Sequence, residues 1–91
     1  MEIEMRFFAN FRDTVGQKEV SREVESGATV GTALEGIVAE YPEMDLFADD
    51  GSLREFLSVM KNGRDITYID GLETELEAGD TVSVFPPVAG G

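Results

Sequence analysis

The chain begins with an alternation of side-chain character. Between Glu2 and Phe8, the residues Ile3, Met5 and Phe7 fall on one side, while Glu2, Glu4 and Arg6 fall on the other. That is the period of a β-strand with one buried face. The stretch "ANFRDTVGQ" breaks the period and reads as a short helical turn ended by Gly16. Alternation resumes from Lys18 to Val24, with Val20 and Val24 inward and Glu19, Ser21 and Glu23 outward. The two stretches predict an antiparallel pair joined by a loop longer than a tight hairpin.

The period then changes. In "SGATVGTALEGIVAEYP", Val30, Ala33, Leu34, Ile37, Val38 and Tyr41 recur at helical spacing, leaving Thr32, Glu35 and Glu40 for solvent. Thr29 suits the N-cap and Pro42 the stop. Gly31 and Gly36 each cost about 1 kcal/mol relative to alanine inside a helix, so this helix depends on packing its apolar stripe against a sheet. Residues 43–52, "EMDLFADDGS", read as an acidic loop. Asn62-Gly63 is a strong hairpin signal within "EFLSVMKNGRDITYI". A turn at Ala78-Gly79-Asp80 leads into a last strand from Thr81 to Phe85, with Val82 and Val84 on one face. Pro86 and Pro87 have no backbone N–H, so the ladder cannot run through them.

The order is strand, strand, helix, strand, a weaker short strand, strand. One helix cannot cover both faces of a sheet, so a mixed sheet of four to five strands wrapped around one main helix is the natural packing. The expected fold is therefore α+β, the β-grasp or ubiquitin-like arrangement. Residues 1–85 form the domain, and residues 86–91 a flexible, extended C-terminal Gly-Gly tail. In that fold the first and last strands lie side by side and parallel, an assignment that pattern alone does not supply.

Composition narrows the chemistry. The chain of 91 residues has no Cys, His or Trp. It therefore offers no disulfide, no thiolate nucleophile and no imidazole base or ligand. The balance of 19 acidic and 7 basic residues gives a formal charge of −12. Such a surface repels nucleic-acid phosphates and anionic membranes. With Lys18 and Lys61 as its only lysines, the chain suits concentrated salt, where the Debye length falls to roughly 3 Å at 1 M. A salt-rich cytoplasm explains this composition, and so does an acidic face for a basic partner; the two are compatible. "MEIEMRFFANF" carries glutamates where a secretory signal would be basic, so a cytoplasmic location is expected.

Asp50-Gly51 could fill positions five and six of a calcium loop, but that register puts Leu46 and Ala48 at ligand positions one and three. Asp49-Asp50 reads better as a surface turn. No glycine spacing matches a phosphate loop, no serine or threonine has an activating base, and no catalytic residue or metal site emerges. The carboxylate of Gly91 remains. Activated as an acyl-adenylate it becomes open to sulfur or an amine, using ATP and magnesium held by another protein. The charge-free ending "FPPVAGG" suits entry into such a site. Six residues from Pro86 reach roughly 19 Å at about 3.1 Å each. Gly90 and Gly91 lack a Cβ and can thread a narrow channel.

The ending "FPPVAGG" after "LEAGDTVSV", the opening "RFFANFRDTVG" and the helix "TVGTALEGIVAEYP" together resemble the MoaD/ThiS family of ubiquitin-like sulfur carriers. The acidic composition aligns the chain with the small archaeal modifier proteins of haloarchaea. The resemblance implies that an E1-like enzyme adenylates Gly91, with Gly90 as its required neighbour, and that Pro86, Pro87, Val88 and Ala89 enter the partner. The product is then an isopeptide bond to a target lysine. The same chain is then expected to carry sulfur as a C-terminal thiocarboxylate as well; the alternative is a dedicated sulfur carrier serving a molybdopterin synthase large subunit or a tRNA-thiolating enzyme. The chain itself would bind no cofactor and act as a monomer, without contacting nucleic acid or membrane. Lys18 and Lys61 are candidate acceptors of a further copy. A β-grasp binding module with an idle terminus is the third reading.

Overall fold

The computed structural model describes residues 1–87. Val88, Ala89, Gly90 and Gly91, on which part of the expected tail falls, lie outside the described residues. The elements are β1 (Glu2–Phe7), α1 (Ala9–Val15), β2 (Glu19–Glu23), α2 (Val30–Glu40), β3 (Ser58–Lys61), β4 (Arg64–Asp65) and β5 (Thr81–Phe85). Two single-turn 3-10 segments, Ile66–Tyr68 and Gly71–Glu73, link β4 to β5. The strands form one mixed sheet in the order β2-β1-β5-β3-β4, with β1 and β5 parallel at its centre. This is the β-grasp arrangement that the strand and helix order predicts.

Ile3, Met5 and Phe7 of β1, Val59 of β3, and Val82 and Val84 of β5 are all buried. They face Val30, Ala33, Leu34 and Ile37 of α2, which are buried too. Strand alternation and helical spacing thus supply two complementary apolar surfaces, the main driving force of a fold this small. The α2 start follows the cap rule: the Thr29 hydroxyl accepts from the Thr32 N–H at 3.2 Å. Its end precedes Pro42, and Tyr41 takes non-helical angles of φ −123 and ψ 79, as a residue before proline must. Gly16 closes α1 at φ 85, and Asn62-Gly63 turns the β3–β4 hairpin at φ 51 and φ 83.

Some expectations change in detail. The segment 43–52 is acidic at Glu43, Asp45, Asp49 and Asp50, but its Met44 and Leu46 are fully buried. The loop thus contributes two residues of its own to the core cluster. Val20 and Val24, expected inward, are half-buried because β2 lies at the sheet edge. Strand β4 has only two residues before the chain bends into the 3-10 turns. Gly31 sits in α2 for a packing reason. A Cβ there would lie 3.0 Å from the Leu72 carbonyl oxygen, so the helix approaches the 3-10 turn as only glycine permits.

Candidate functional site

The site begins where β5 enters the sheet. Asp80 precedes that strand and is nearly buried. One carboxylate oxygen accepts from the Glu77 N–H at 2.7 Å, and the other accepts from the Asn62 side-chain amide at 2.9 Å. The Asn62 side-chain oxygen in turn accepts from the Thr81 N–H at 2.9 Å. The Asn62 N–H also donates to the Thr81 carbonyl at 2.8 Å. Hairpin and last strand are thus locked together at the start of β5. Burial opposes ionisation of Asp80. The bonds from Asn62 and Glu77, with the Lys61 ammonium beside them, outweigh it and hold the carboxyl below the usual aspartate value.

From there β5 runs between two partners. Thr81, Val82, Ser83 and Val84 pair in parallel with Glu4, Met5, Arg6 and Phe7. On the other side, Phe85 pairs with Ser58 and Val84 with Val59, antiparallel. A central strand is held by two ladders, so its last residue is a fixed point. Phe85 ends β5, followed by Pro86, half-buried, and Pro87, exposed. The tail therefore departs from the middle of the sheet rather than from a loose edge.

At that root the sheet carries an aromatic pair. Phe8 and Phe85 stack with ring centroids 4.2 Å apart and planes 12° from parallel. Both are half-buried on the face away from α2, as are Met60 and Ser83, which pair across β3 and β5. An apolar, half-covered surface on a chain of net charge −12 is the kind of patch that marks a docking face. Sequence reasoning missed Phe8 and Phe85 as a pair, because they touch only through the parallel β1–β5 register. The available signal was Phe8 following Phe7 in an alternating strand, which sets its ring on the opposite face.

The two lysines differ. Lys61 is tied down, its ammonium donating to the Glu75 carbonyl at 3.0 Å and lying 3.6 Å from Asp80. Lys18 is exposed, and its backbone carbonyl accepts from Phe7 N–H, beside the same end of the sheet as Phe85. The Asp50 carboxylate accepts from the Ser52 N–H and hydroxyl, at 3.0 and 2.6 Å, and closes a turn. Those bonds also hold Asp50 below its ordinary value. Leu46, at position one of the calcium-loop register, is buried in the core. No helix is long and apolar enough to cross a membrane among the described residues.

A β-grasp domain with a last strand that ends in an aromatic platform and a Gly-Gly tail defines a ubiquitin-like protein. The ThiS family model matches residues 5–91, and the chain belongs to that family. It is 49% identical over 92 residues to small archaeal modifier protein 3 of Haloferax volcanii, covering 100% of both chains. A crystal structure of a second modifier from Haloferax volcanii, small archaeal modifier protein 1, superposes with a TM-score of 0.86 at 35% identity, covering 100% of each chain. The sulfur carrier protein CysO of Mycobacterium tuberculosis is 35% identical over 82 residues, 86% of this chain and 85% of that one.

Proposed function

We propose that the chain is a ubiquitin-like protein modifier, joined through Gly91 to lysines of target proteins. A separate E1-like enzyme, holding ATP and magnesium, converts the Gly91 carboxylate to an acyl-adenylate with release of pyrophosphate. A lysine amine then attacks the carbonyl carbon, the isopeptide bond forms, and AMP leaves. The same adenylate attacked by a sulfur donor gives a thiocarboxylate, so sulfur carriage is the second reading, favoured by the relation to CysO. In that case the receiving partner is a molybdopterin synthase large subunit or a tRNA-thiolating enzyme.

The observation that carries the proposal is the root of the tail. The chain supplies no catalytic side chain in this scheme; it supplies geometry. Asp80 and Asn62 fix the start of β5, two ladders hold its length, and the Phe8–Phe85 stack gives a partner an apolar surface where the tail leaves. A partner that docks on that surface finds Pro86 and Pro87 leaving the sheet from a fixed point. Prolines reduce the conformational freedom lost when the tail is enclosed. Lys18, exposed, is the better acceptor of a second copy than the bridged Lys61.

A tagged chain expressed in its host tests both readings. Denaturing gels should show larger adducts that vanish when Gly91 is deleted. The mass of the free protein should show oxygen replaced by sulfur if it carries sulfur. Absence of both signals in the host would leave a β-grasp binding module. The last basic residue is Arg64, so trypsin leaves Asp65 to Gly91 on a modified lysine, and target surveys must search for that long remnant. Ala89→Arg shortens it if the activating enzyme accepts the bulk.

A further inference from the structure

A groove of about 490 Å³ runs between β2 and the first half of α2, at the end of the sheet away from the tail. Val24, Ala28, Ala33 and Gly36 give it a shallow apolar floor. Gly36 leaves it open: a Cβ added there would meet nothing within 4 Å. Glycine in a helix interior costs about 1 kcal/mol relative to alanine, and unlike Gly31 this one has no close neighbour that requires it.

Along one side of the groove lies an unpaired sheet edge. The β1–β2 register pairs Ile3 with Arg22 and Met5 with Val20. The Phe7 N–H donates to the Lys18 carbonyl, and Met1 and Val24 exchange bonds in both directions. Hydrogen-bonded pairs alternate in an antiparallel ladder, so Val20 and Arg22 spend their backbone groups on β1. The N–H and C=O of Ser21 and Glu23 point the other way. Among the described residues no backbone group meets them.

The rim is acidic. Glu23 and Glu25 line the groove, the Glu23 carboxylate lying 3.7 Å from the Met1 ammonium on the exposed surface. Arg22, the lining cation, is already paired with Glu40 across the β2–α2 gap. A free strand edge beside an apolar trough is the geometry of strand addition, where backbone bonds give affinity and alternate side chains give selectivity.

We propose that this groove binds an extended segment of a partner protein, added to β2 through Ser21 and Glu23. The segment carries a Val- or Leu-sized residue for the trough and Lys or Arg beside it for Glu23 and Glu25. A second copy of this chain is the poorer occupant, because its own β2 is acidic at Glu19 and Glu23. Strand β1 separates the groove from the tail root by about 20 Å of extended chain. The segment would therefore hold the protein while Gly91 is engaged elsewhere, and its binding does not depend on what happens to Gly91.

The test is an amide-shift titration of the isotope-labelled full chain in about 0.5 M KCl, where screening confines attraction to contact distances. The probe is a blocked peptide alternating Val with Lys and Arg, and the control replaces its cations with Glu. Saturable shifts centred on Ser21, Glu23 and Gly36 are expected from the basic peptide alone. Gly36→Leu fills the trough, and Ser21→Pro removes an outward donor while sparing the β1 ladder. Each should weaken binding by about tenfold or more, and Gly36→Leu should keep the fold even if Ser21→Pro does not. The proposal is overturned if the shifts fail to saturate, or if they scatter over the acidic surface. Equal binding of the acidic peptide, or unchanged binding by Gly36→Leu, overturns it too. So does movement of the same resonances on diluting the protein alone, which would assign the groove to a second copy.

Discussion

Asp80→Ala is the perturbation that tests most directly how the root of the tail is held. The carboxylate accepts two hydrogen bonds, at 2.7 and 2.9 Å, from the Glu77 N–H and the Asn62 amide. Hydrogen bonds to charged groups contribute about 1.5–3 kcal/mol each. Water can reach both donors once the side chain is gone, because Glu77 and Asn62 are exposed, so the low end applies and the two together give about 3 kcal/mol. The Lys61 pair at 3.6 Å adds at most about 1 kcal/mol. A loss of about 3–4 kcal/mol is therefore expected, or about 15–25 °C in Tm for a domain of this size. Asp80→Asn keeps the shape and can still accept from Glu77, so it should lose about half as much.

The pH dependence carries a sign that distinguishes charge from shape. The Asp80 carboxyl lies below its ordinary value of 3.8 in the folded chain. The unfolded chain therefore takes up the proton first as pH falls. The stability from this group is complete above the ordinary value and disappears as pH drops through the lower, folded one. Urea melts of wild type and Asp80→Asn at fixed KCl, from neutral pH to about pH 3, should converge on the acid side. A loss below about 1 kcal/mol for Asp80→Ala, or a constant gap between wild type and Asp80→Asn across that range, would refute the clasp as described.

Three further outcomes are expected. Gly36→Ala should stabilise the fold by up to about 1 kcal/mol, whereas Gly31→Ala should destabilise it, because its Cβ meets the Leu72 carbonyl oxygen at 3.0 Å; equal gains in urea melts would contradict that packing. Phe85→Ala removes a stacked ring that is half-exposed, so stability should fall by only about 1–2 kcal/mol while conjugates in the host drop sharply. Undiminished conjugates at matched protein levels would show that the platform is not used. Tm should rise as KCl approaches molar levels, since self-repulsion of a −12 chain is screened there; a flat profile would point instead to a dedicated acidic face.

The parts legible in the sequence are those set by neighbours along the chain. Ile3, Met5 and Phe7 alternate, so they share a face whatever they pack against. Val30, Ala33, Leu34 and Ile37 make one stripe because a helix turns every 3.6 residues, and Thr29, Gly16 and Asn62-Gly63 mark ends and turns through their own backbone chemistry. The lack of His and Cys was legible too, because composition needs no structure to be read. Met44 and Leu46 were less visible: amid acidic residues they show no helical stripe, and only the assembled core gives them a place.

By itself, then, the sequence determined the elements and the inward faces, since each depends on local spacing. The tertiary structure alone decided what lies across from what. Phe8 meets Phe85, Asn62 meets Asp80, and the outward backbone groups of Ser21 and Glu23 meet no backbone partner among the described residues, because β5 inserts parallel to β1 and leaves β2 at the edge. Those pairings join residues far apart in the chain, and their register is set by the core that the whole sheet shares with α2, so no local pattern can announce them.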